Sequence, residues 1–343
     1  MEHLITIEKA LELSNPLFVD LRSPVEYEEA HIPGALNVPL FEDEERALIG
    51  TVYKKESPED AIDKGFQIAA PKLPEIYNKL KPYCSAREIV LYCWRGGMRS
   101  RAISQILDVL NMPHFRLIGG YKSFRRCVNS FFEDPFKQEI IVLHGLTGVG
   151  KTHILEKLRE EGYPAVDLEG LANNRGSVFG HIGLEKAPSQ KQFEGLLYWE
   201  CRRYQQAKRI AVECESRRIG SVLLPASFFN AMQSGRKVLI YDSPENRIKR
   251  LVATYTRSKR GQNDEQLISA VNRLRKRLGN AKTDELIGLL SVPDYGEVVR
   301  RLLADYYDPL YHYPDKPSPD YEFNLDARSM DDAIAVLKEI LIK

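Results

Sequence analysis

The segment Gly145-Leu146-Thr147-Gly148-Val149-Gly150-Lys151-Thr152 leaves a chain little choice of local fold. It fits G-x-x-x-x-G-K-[ST] at every position, follows the apolar run Ile140-Ile141-Val142-Leu143, and leads into apolar residues at helical spacing, Ile154, Leu155 and Leu158. Such a loop ends a strand and opens a helix, because its glycines let successive amides turn inward around a phosphate. Gly145, Thr147, Gly148, Val149 and Gly150 supply that backbone, Lys151 a point charge, and Thr152 a hydroxyl placed to hold Mg²⁺. The motif specifies a polyphosphate and leaves open what carries it.

The rest of the chain repeats the same grammar. Strand-like runs at 17–20, 88–92 and 115–118 alternate with helical patterning, clearest at 100–110, where Ile103, Ile106, Leu107 and Leu110 share a face and Asn111 and Pro113 end it. The pattern breaks near residue 135, which places one domain at 1–135 and a second at 136–343. In the second, further strands are expected at 139–143, 164–167, 220–224 and 237–241, and a mostly helical part from Glu245 onward. That part closes with a helix over 331–342 behind a Ser329 cap with Asp332 three residues on. Strand–helix alternation predicts α/β domains with parallel sheets in both halves. A length of 343 residues suits two domains, and 43% hydrophobic with 28% charged residues gives each a core and excludes a disordered chain.

No apolar run approaches the roughly 18–20 residues of a membrane span, and the start Met1-Glu2-His3 does not read as a signal peptide, so no membrane partner is expected. Five cysteines, Cys84, Cys93, Cys127, Cys201 and Cys214, are odd in number and lack C-x-x-C spacing. Neither a disulfide framework nor a metal site is expected, and a reducing cytoplasm is the expected location.

Cys93 ends the strand at 88–92 and is followed by Trp94-Arg95-Gly96-Gly97-Met98-Arg99-Ser100, where a helix begins. Ligands of open α/β sheets bind at this kind of place, beyond the carboxyl end of a strand. The glycines let the loop amides curl inward, and Arg95 and Arg99 add full charges, surroundings that favour a thiolate and an anion together. Asp167, Glu169 and Asp242 stand at strand ends of the second domain as possible acids facing a metal or substrate. From Arg247 to Lys282 eleven basic residues, among them Arg247, Lys249, Arg250, Arg257, Lys259, Arg260, Arg273, Arg275, Lys276 and Arg277, face two acids, Asp264 and Glu265. The net charge of the whole chain is only +1, so this basic region, about 245–285, reads as a footprint for a polyanion such as RNA.

Residues 20–39, Asp20-Leu21-Arg22 through Glu26-Tyr27 to His31-Ile32-Pro33-Gly34-Ala35, resemble the N-terminal signature of the rhodanese family, and Gly119-Gly120-Tyr121 resembles its closing motif. Rhodanese domains carry sulfur or selenium on the loop cysteine, which would be Cys93. The loop is C-x5-R long, a length shared with rhodanese-fold phosphatases, although their usual His before the cysteine is Tyr92 here. Asp20 and Arg22 are expected as a hydrogen-bonded pair supporting the loop, and His31 as organiser of the turn before Pro33-Gly34.

With its P-loop half, Asp167 to Gly180 and Glu215-Ser216-Arg217-Arg218-Ile219-Gly220, the whole chain resembles the tRNA 2-selenouridine synthase family: a rhodanese-like domain followed by a P-loop NTPase-like domain. The family more often has an acid where Cys214 stands. The resemblance implies S-geranylation of wobble 2-thiouridine from geranyl diphosphate, then replacement of the geranylated sulfur by selenium from selenophosphate. It implies tRNA as partner, Cys93 as the selenium-handling residue and no tightly bound cofactor. The P-loop is then expected to take the diphosphate, with Leu223, Leu224, Phe228 and Phe229 as candidates for walls around the tail. A P-loop kinase fused to a sulfur carrier, and a C-x5-R phosphatase, remain the alternatives.

Overall fold

A computed structural model describes residues 3–175, 186–255, 264–291 and 295–342. Two compact units emerge: Met1–Glu133 with Glu194–Tyr198, and Asp134–Phe193 with Trp199–Lys343.

The first unit is built on five strands, β1 (Leu4–Ile5), β2 (Pro16–Asp20), β3 (Leu36–Asn37), β4 (Glu88–Tyr92) and β5 (Phe115–Leu117), in the order β1-β5-β4-β2-β3. Every pairing is parallel. From Ile89 to Tyr92, β4 is buried throughout, as a central strand covered on both faces must be. One side of the sheet packs Leu17, Val19, Ile89 and Leu91 against Ile103 and Leu107 of the helix Met98–Val109. The chain leaves β4 toward β5 on one side, whereas β2 lies on the other, so a crevice opens at the carboxyl end of β4.

The second unit repeats this plan with β6 (Glu139–His144), β7 (Ala165–Val166), β8 (Arg209–Glu213), a hairpin of β9 (Arg218–Ile219) and β10 (Val222–Leu223), then β11 (Arg236–Tyr241) and β12 (Phe323–Asp326). The sheet order is β12-β11-β6-β8-β7, all parallel, and β9 pairs antiparallel with β10. One expectation is corrected here and one strand is added. The strand expected at 220–224 belongs to the hairpin, which turns at Gly220 with φ +56°. β6 lies between β11 and β8, and β8, whose Arg-Ile-Ala-Val-Glu carries too short an apolar run to announce itself, is a strand the sequence reading omits.

The helical part holds Pro244–Tyr255, Asp264–Arg273, Asn280–Ser291 and Tyr295–Leu302 around a core of Val271, Leu286, Leu290, Val298 and Leu302. It is not helical to its end: β12 returns to pair with β11 before the last helix, Met330–Ile342. Ser329 stands just ahead of that helix, its hydroxyl bonded to Asp332.

Candidate functional site

Cys93 follows β4 directly and is 3% exposed. Its carbonyl accepts from the Tyr121 amide at 2.8 Å, and that of Trp94 from Lys122 at 3.0 Å, which ties the loop to the start of the helix Gly120–Glu133. Gly120 makes the approach possible: its φ is +57°, and a Cβ there would stand 2.1 Å from the Cys93 oxygen and 2.4 Å from the Gly96 nitrogen. Arg116 Nη1 donates to the Gly96 carbonyl at 2.7 Å and fixes the middle of the loop. The Ser100 hydroxyl lies 3.3 Å from Cys93 Sγ and 3.2 Å from the Gly97 carbonyl, a donor within reach of a thiolate. Trp94 and Met98 are exposed beside the buried sulfur, so the mouth of the loop is partly apolar.

Beneath the loop, Asp20 and Arg22 form a buried pair with contacts of 2.6–3.0 Å. Arg22 also donates to the Ala30 carbonyl at 2.7 Å, and its guanidinium lies over the Tyr121 ring at 4.2 Å. His31 stacks on Tyr27 at 3.8 Å and bonds its carbonyl at 2.9 Å. Burial lowers the His31 pKa, so the ring stays neutral through the range in which an ordinary histidine takes up its proton. The Asp20–Arg22 pair lies buried as the expected hydrogen-bonded pair, and His31 is held against Tyr27 just ahead of Pro33-Gly34.

Arg99 does otherwise. It turns to Glu26, with contacts of 2.6 and 3.3 Å, so its charge is already compensated. Burial alone would raise the Glu26 carboxyl, but Arg99 outweighs it and holds the group below its ordinary value. Arg95 is exposed and, among the described residues, makes no ion pair, which leaves it as the loop's available cation.

At the carboxyl end of β6, Gly145, Gly148 and Gly150 take φ of +141°, +85° and +101°. Lys151 opens the helix Lys151–Glu160 and donates to the Gly145 carbonyl at 2.7 Å, while Thr152 follows half-buried. Burial lowers the lysine's pKa, opposed by the charges of Glu169, Glu215, Cys214 and Glu213. Those carboxyls are perturbed in turn. Burial raises Asp167 and Glu215 and pushes Glu169 and Glu213 well up, with neighbouring carboxylates adding to the effect on the last two.

Glu213 and Glu215 are functional candidates to which the sequence reading gave no role: Glu215 stood only in a family-like segment, and Glu213 ends β8, which was not recognised. Glu213 Oε1 accepts from the Glu169 amide at 2.7 Å, and among the described residues its buried Oε2 has no hydrogen-bond partner. Among the described residues no three His, Cys, Asp or Glu side chains are grouped to hold a metal ion, so these carboxyls do not form a ready cage for Mg²⁺.

Asp242 is corrected. It is buried, ion-paired with Arg250 at 2.5 Å, and accepts from the Ser243 amide and the Asn246 side chain, so it anchors structure rather than facing a solute. Leu224 and Phe228 are fully packed core residues.

The basic stretch divides. Arg247 is 3% exposed, paired with Asp308 at 2.5 Å and bonded to the Thr147 carbonyl at 2.9 Å. Arg250 bonds the carbonyls of Gly148 and Val149 at 3.2 and 3.3 Å. Both brace the phosphate loop and are withdrawn from a nucleic-acid backbone. Arg275 pairs with Asp284 at 2.7 Å, and Arg277 bonds the Tyr306 hydroxyl at 3.0 Å. Lys249, Arg273 and Lys276 are exposed and, among the described residues, unpaired. Arg257, Lys259 and Arg260 lie outside the described residues. The charge surplus of the window is therefore partly cancelled by acids outside it, Asp242, Asp284 and Asp308.

No helix among the described residues is long and apolar enough to cross a membrane. The family model of the rhodanese-like domain matches residues 6–127, and that of the tRNA 2-selenouridine synthase AAA domain matches 138–335. The chain is 33% identical over 334 residues to the tRNA 2-selenouridine synthase of Pseudomonas syringae pv. syringae, covering 89% of this chain and 90% of that one. It is 32% identical to that of Shewanella halifaxensis, covering 91% and 92%, and 34% identical to that of Hydrogenovibrio crunogenus, covering 92% and 94%.

Proposed function

The chain belongs to the tRNA 2-selenouridine synthase family, and from that premise we propose that it converts wobble 2-thiouridine of tRNA to 2-selenouridine in two steps, one at each anion cradle. In the first, the 2-thiouridine sulfur attacks carbon 1 of geranyl diphosphate. The carbon–oxygen bond breaks, diphosphate leaves, and the base loses its N3 proton. Lys151 and the amides of Gly148 to Thr152 stabilise the charge that develops on the leaving diphosphate, where preorganised donors contribute most.

S-Alkylation makes carbon 2 electrophilic and turns the sulfur into a leaving group. In the second step selenium from selenophosphate replaces it. Geranyl thiol departs, water is consumed at phosphorus, and orthophosphate is released. Cys93 is the selenium-handling residue, the loop amides and Arg95 hold the anion, and the Ser100 hydroxyl stands within hydrogen-bond distance of the sulfur. Geranyl diphosphate and selenophosphate are co-substrates with no tightly bound cofactor, and Thr152 is placed to hold Mg²⁺ beside the diphosphate. Exposed Lys249, Arg273 and Lys276 contact the tRNA backbone. The five cysteines are free thiols, which suits a cytoplasmic location.

The observation that supports the reading most is the presence in one chain of two amide loops at carboxyl ends of parallel strands, one holding a thiol and the other a lysine. Mass spectrometry of wobble uridine after incubation with each co-substrate separately tests it. Geranyl diphosphate alone is expected to give S-geranyl-2-thiouridine, and selenophosphate alone no change. Selenouridine formed without any geranyl donor would refute the order of steps.

A further inference from the structure

The mouth of the thiol loop carries more than a small anion needs. Trp94 follows Cys93 and is 36% exposed, although an indole is large and mostly apolar. Its ring is held from within the unit. The Arg22 guanidinium lies 5.7 Å from it, and the Tyr121 ring lies 5.7 Å away at 39°. Arg22 is itself locked by Asp20, so the indole is set in place before any ligand arrives. Its remaining surface meets solvent beside a sulfur that is almost wholly buried.

Cations gather at the same edge. The Lys122 amide donates to the Trp94 carbonyl at 3.0 Å, which brings the start of the helix Gly120–Glu133 against the loop. Arg126 stands one turn further along, on the same helix face as Lys122. Its Nη2 reaches back to the turn before the helix, where a Cβ on Gly119 would lie 3.2 Å from it. Gly119 in turn abuts the loop, since a Cβ on Gly96 would meet its nitrogen at 3.1 Å. Neighbouring Arg99 and Arg125 are engaged by Glu26 and Glu194, each at 2.6 Å. Arg95, Lys122 and Arg126 are exposed and, among the described residues, make no ion pair.

We propose that this edge seats the anticodon loop during the selenium step: the wobble base stacks on Trp94, and Lys122 and Arg126 hold the phosphates that flank it. The proposal rests on the reading that the selenium step takes place at Cys93. Chemistry favours a single-stranded nucleotide over a small anion. Selenophosphate is served by the loop amides and Arg95 and gains nothing from an exposed indole, whereas a planar base gains by covering it. Two further cations beyond the loop match a backbone, whose phosphates recur along the strand. An acidic peptide would meet the cations and leave the indole uncovered.

Fluorescence titration of the full chain in a Trp199→Phe background, where Trp94 is the remaining tryptophan, tests the proposal. The probe is an anticodon stem-loop with S-geranyl-2-thiouridine at the wobble position. Binding is expected to quench Trp94, and the same stem-loop lacking the wobble base to bind without quenching. With labelled RNA, Trp94→Leu should weaken binding by roughly tenfold, and Trp94→Phe should keep most of it. Lys122→Gln with Arg126→Gln should lower the salt slope of RNA binding by about 1.4 units at an unchanged melting temperature. Selenophosphate, titrated calorimetrically without RNA, should bind that double variant as before. Quenching that persists without the wobble base, or an unchanged salt slope in the double variant, overturns the proposal. Weakened selenophosphate binding in the double variant also overturns it, since the cations would then belong to the small-anion cradle. Selenation that survives Cys93→Ala overturns instead the reading on which the proposal rests.

Discussion

Asp20 and Arg22 offer the sharpest test of how the thiol loop is supported. Their side chains are 0% and 1% exposed, joined by a contact of 2.6 Å. Arg22 stacks on Tyr121, whose amide holds the Cys93 carbonyl. Asp20→Asn leaves a guanidinium buried without its counter-charge, a loss of about 3–5 kcal/mol. With a urea m-value of about 2 kcal/mol/M, the transition of the first unit should move down by roughly 2 M. Trp94 fluorescence reads this transition in a Trp199→Phe background, since the chain has only these two tryptophans. The double variant Asp20→Leu with Arg22→Met removes both charges and should recover most of the loss. A change below about 1 kcal/mol for Asp20→Asn, as for an exposed pair, or strict additivity in the double variant, would refute the buried-pair argument.

Three further outcomes are expected. Cys93→Ala should abolish selenation and leave geranylation and the melting temperature intact, whereas Ala at Cys84, Cys127, Cys201 or Cys214 should retain both activities; selenation by Cys93→Ala, read by nucleoside mass spectrometry, would remove the assigned role. Replacing exposed Arg273 and Lys276 by Gln should weaken tRNA binding and lower its salt dependence by about two units of slope, while Arg275→Gln, already paired within the chain, should change the slope far less. Burial, with Asp167 and Glu169 nearby, pushes the Glu213 carboxyl well up, so the folded state holds its proton more tightly than the unfolded chain. Its contribution is therefore most favourable below the unfolded value of about 4.3 and is lost as pH rises through the folded value, and Glu213→Gln should raise the melting temperature at pH 8 by roughly 2–4 °C, fading toward pH 4; a lower melting temperature at pH 8 would contradict this.

The two loops were legible because each carries its own physical requirement in sequence: glycines where amides must turn, and a lysine or cysteine at the end of an apolar strand. What escaped was set by distant partners. β8 is three apolar residues between an arginine and a glutamate, and pairing with β6 on one side and β7 on the other makes it an interior strand. β12 lies within a stretch that reads as helical and is recruited by the open edge of β11. Charge was misjudged for the same reason. Arg99 counts as a loop cation until Glu26, 73 residues away, folds against it. Arg247 counts as a nucleic-acid contact until Asp308 and the Thr147 carbonyl enclose it.

The account turns on the division of labour between the two loops, and the Lys151→Ala variant measures it directly. Two substrates are supplied in parallel: 2-thiouridine tRNA with geranyl diphosphate, and tRNA already S-geranylated with selenophosphate. The account predicts that the variant loses geranylation and still converts the S-geranylated tRNA to selenouridine at close to the wild-type rate. Normal geranylation by Lys151→Ala, or a requirement of the wild-type enzyme for ATP hydrolysis in either step, would make the P-loop a nucleotide site and contradict the mechanism.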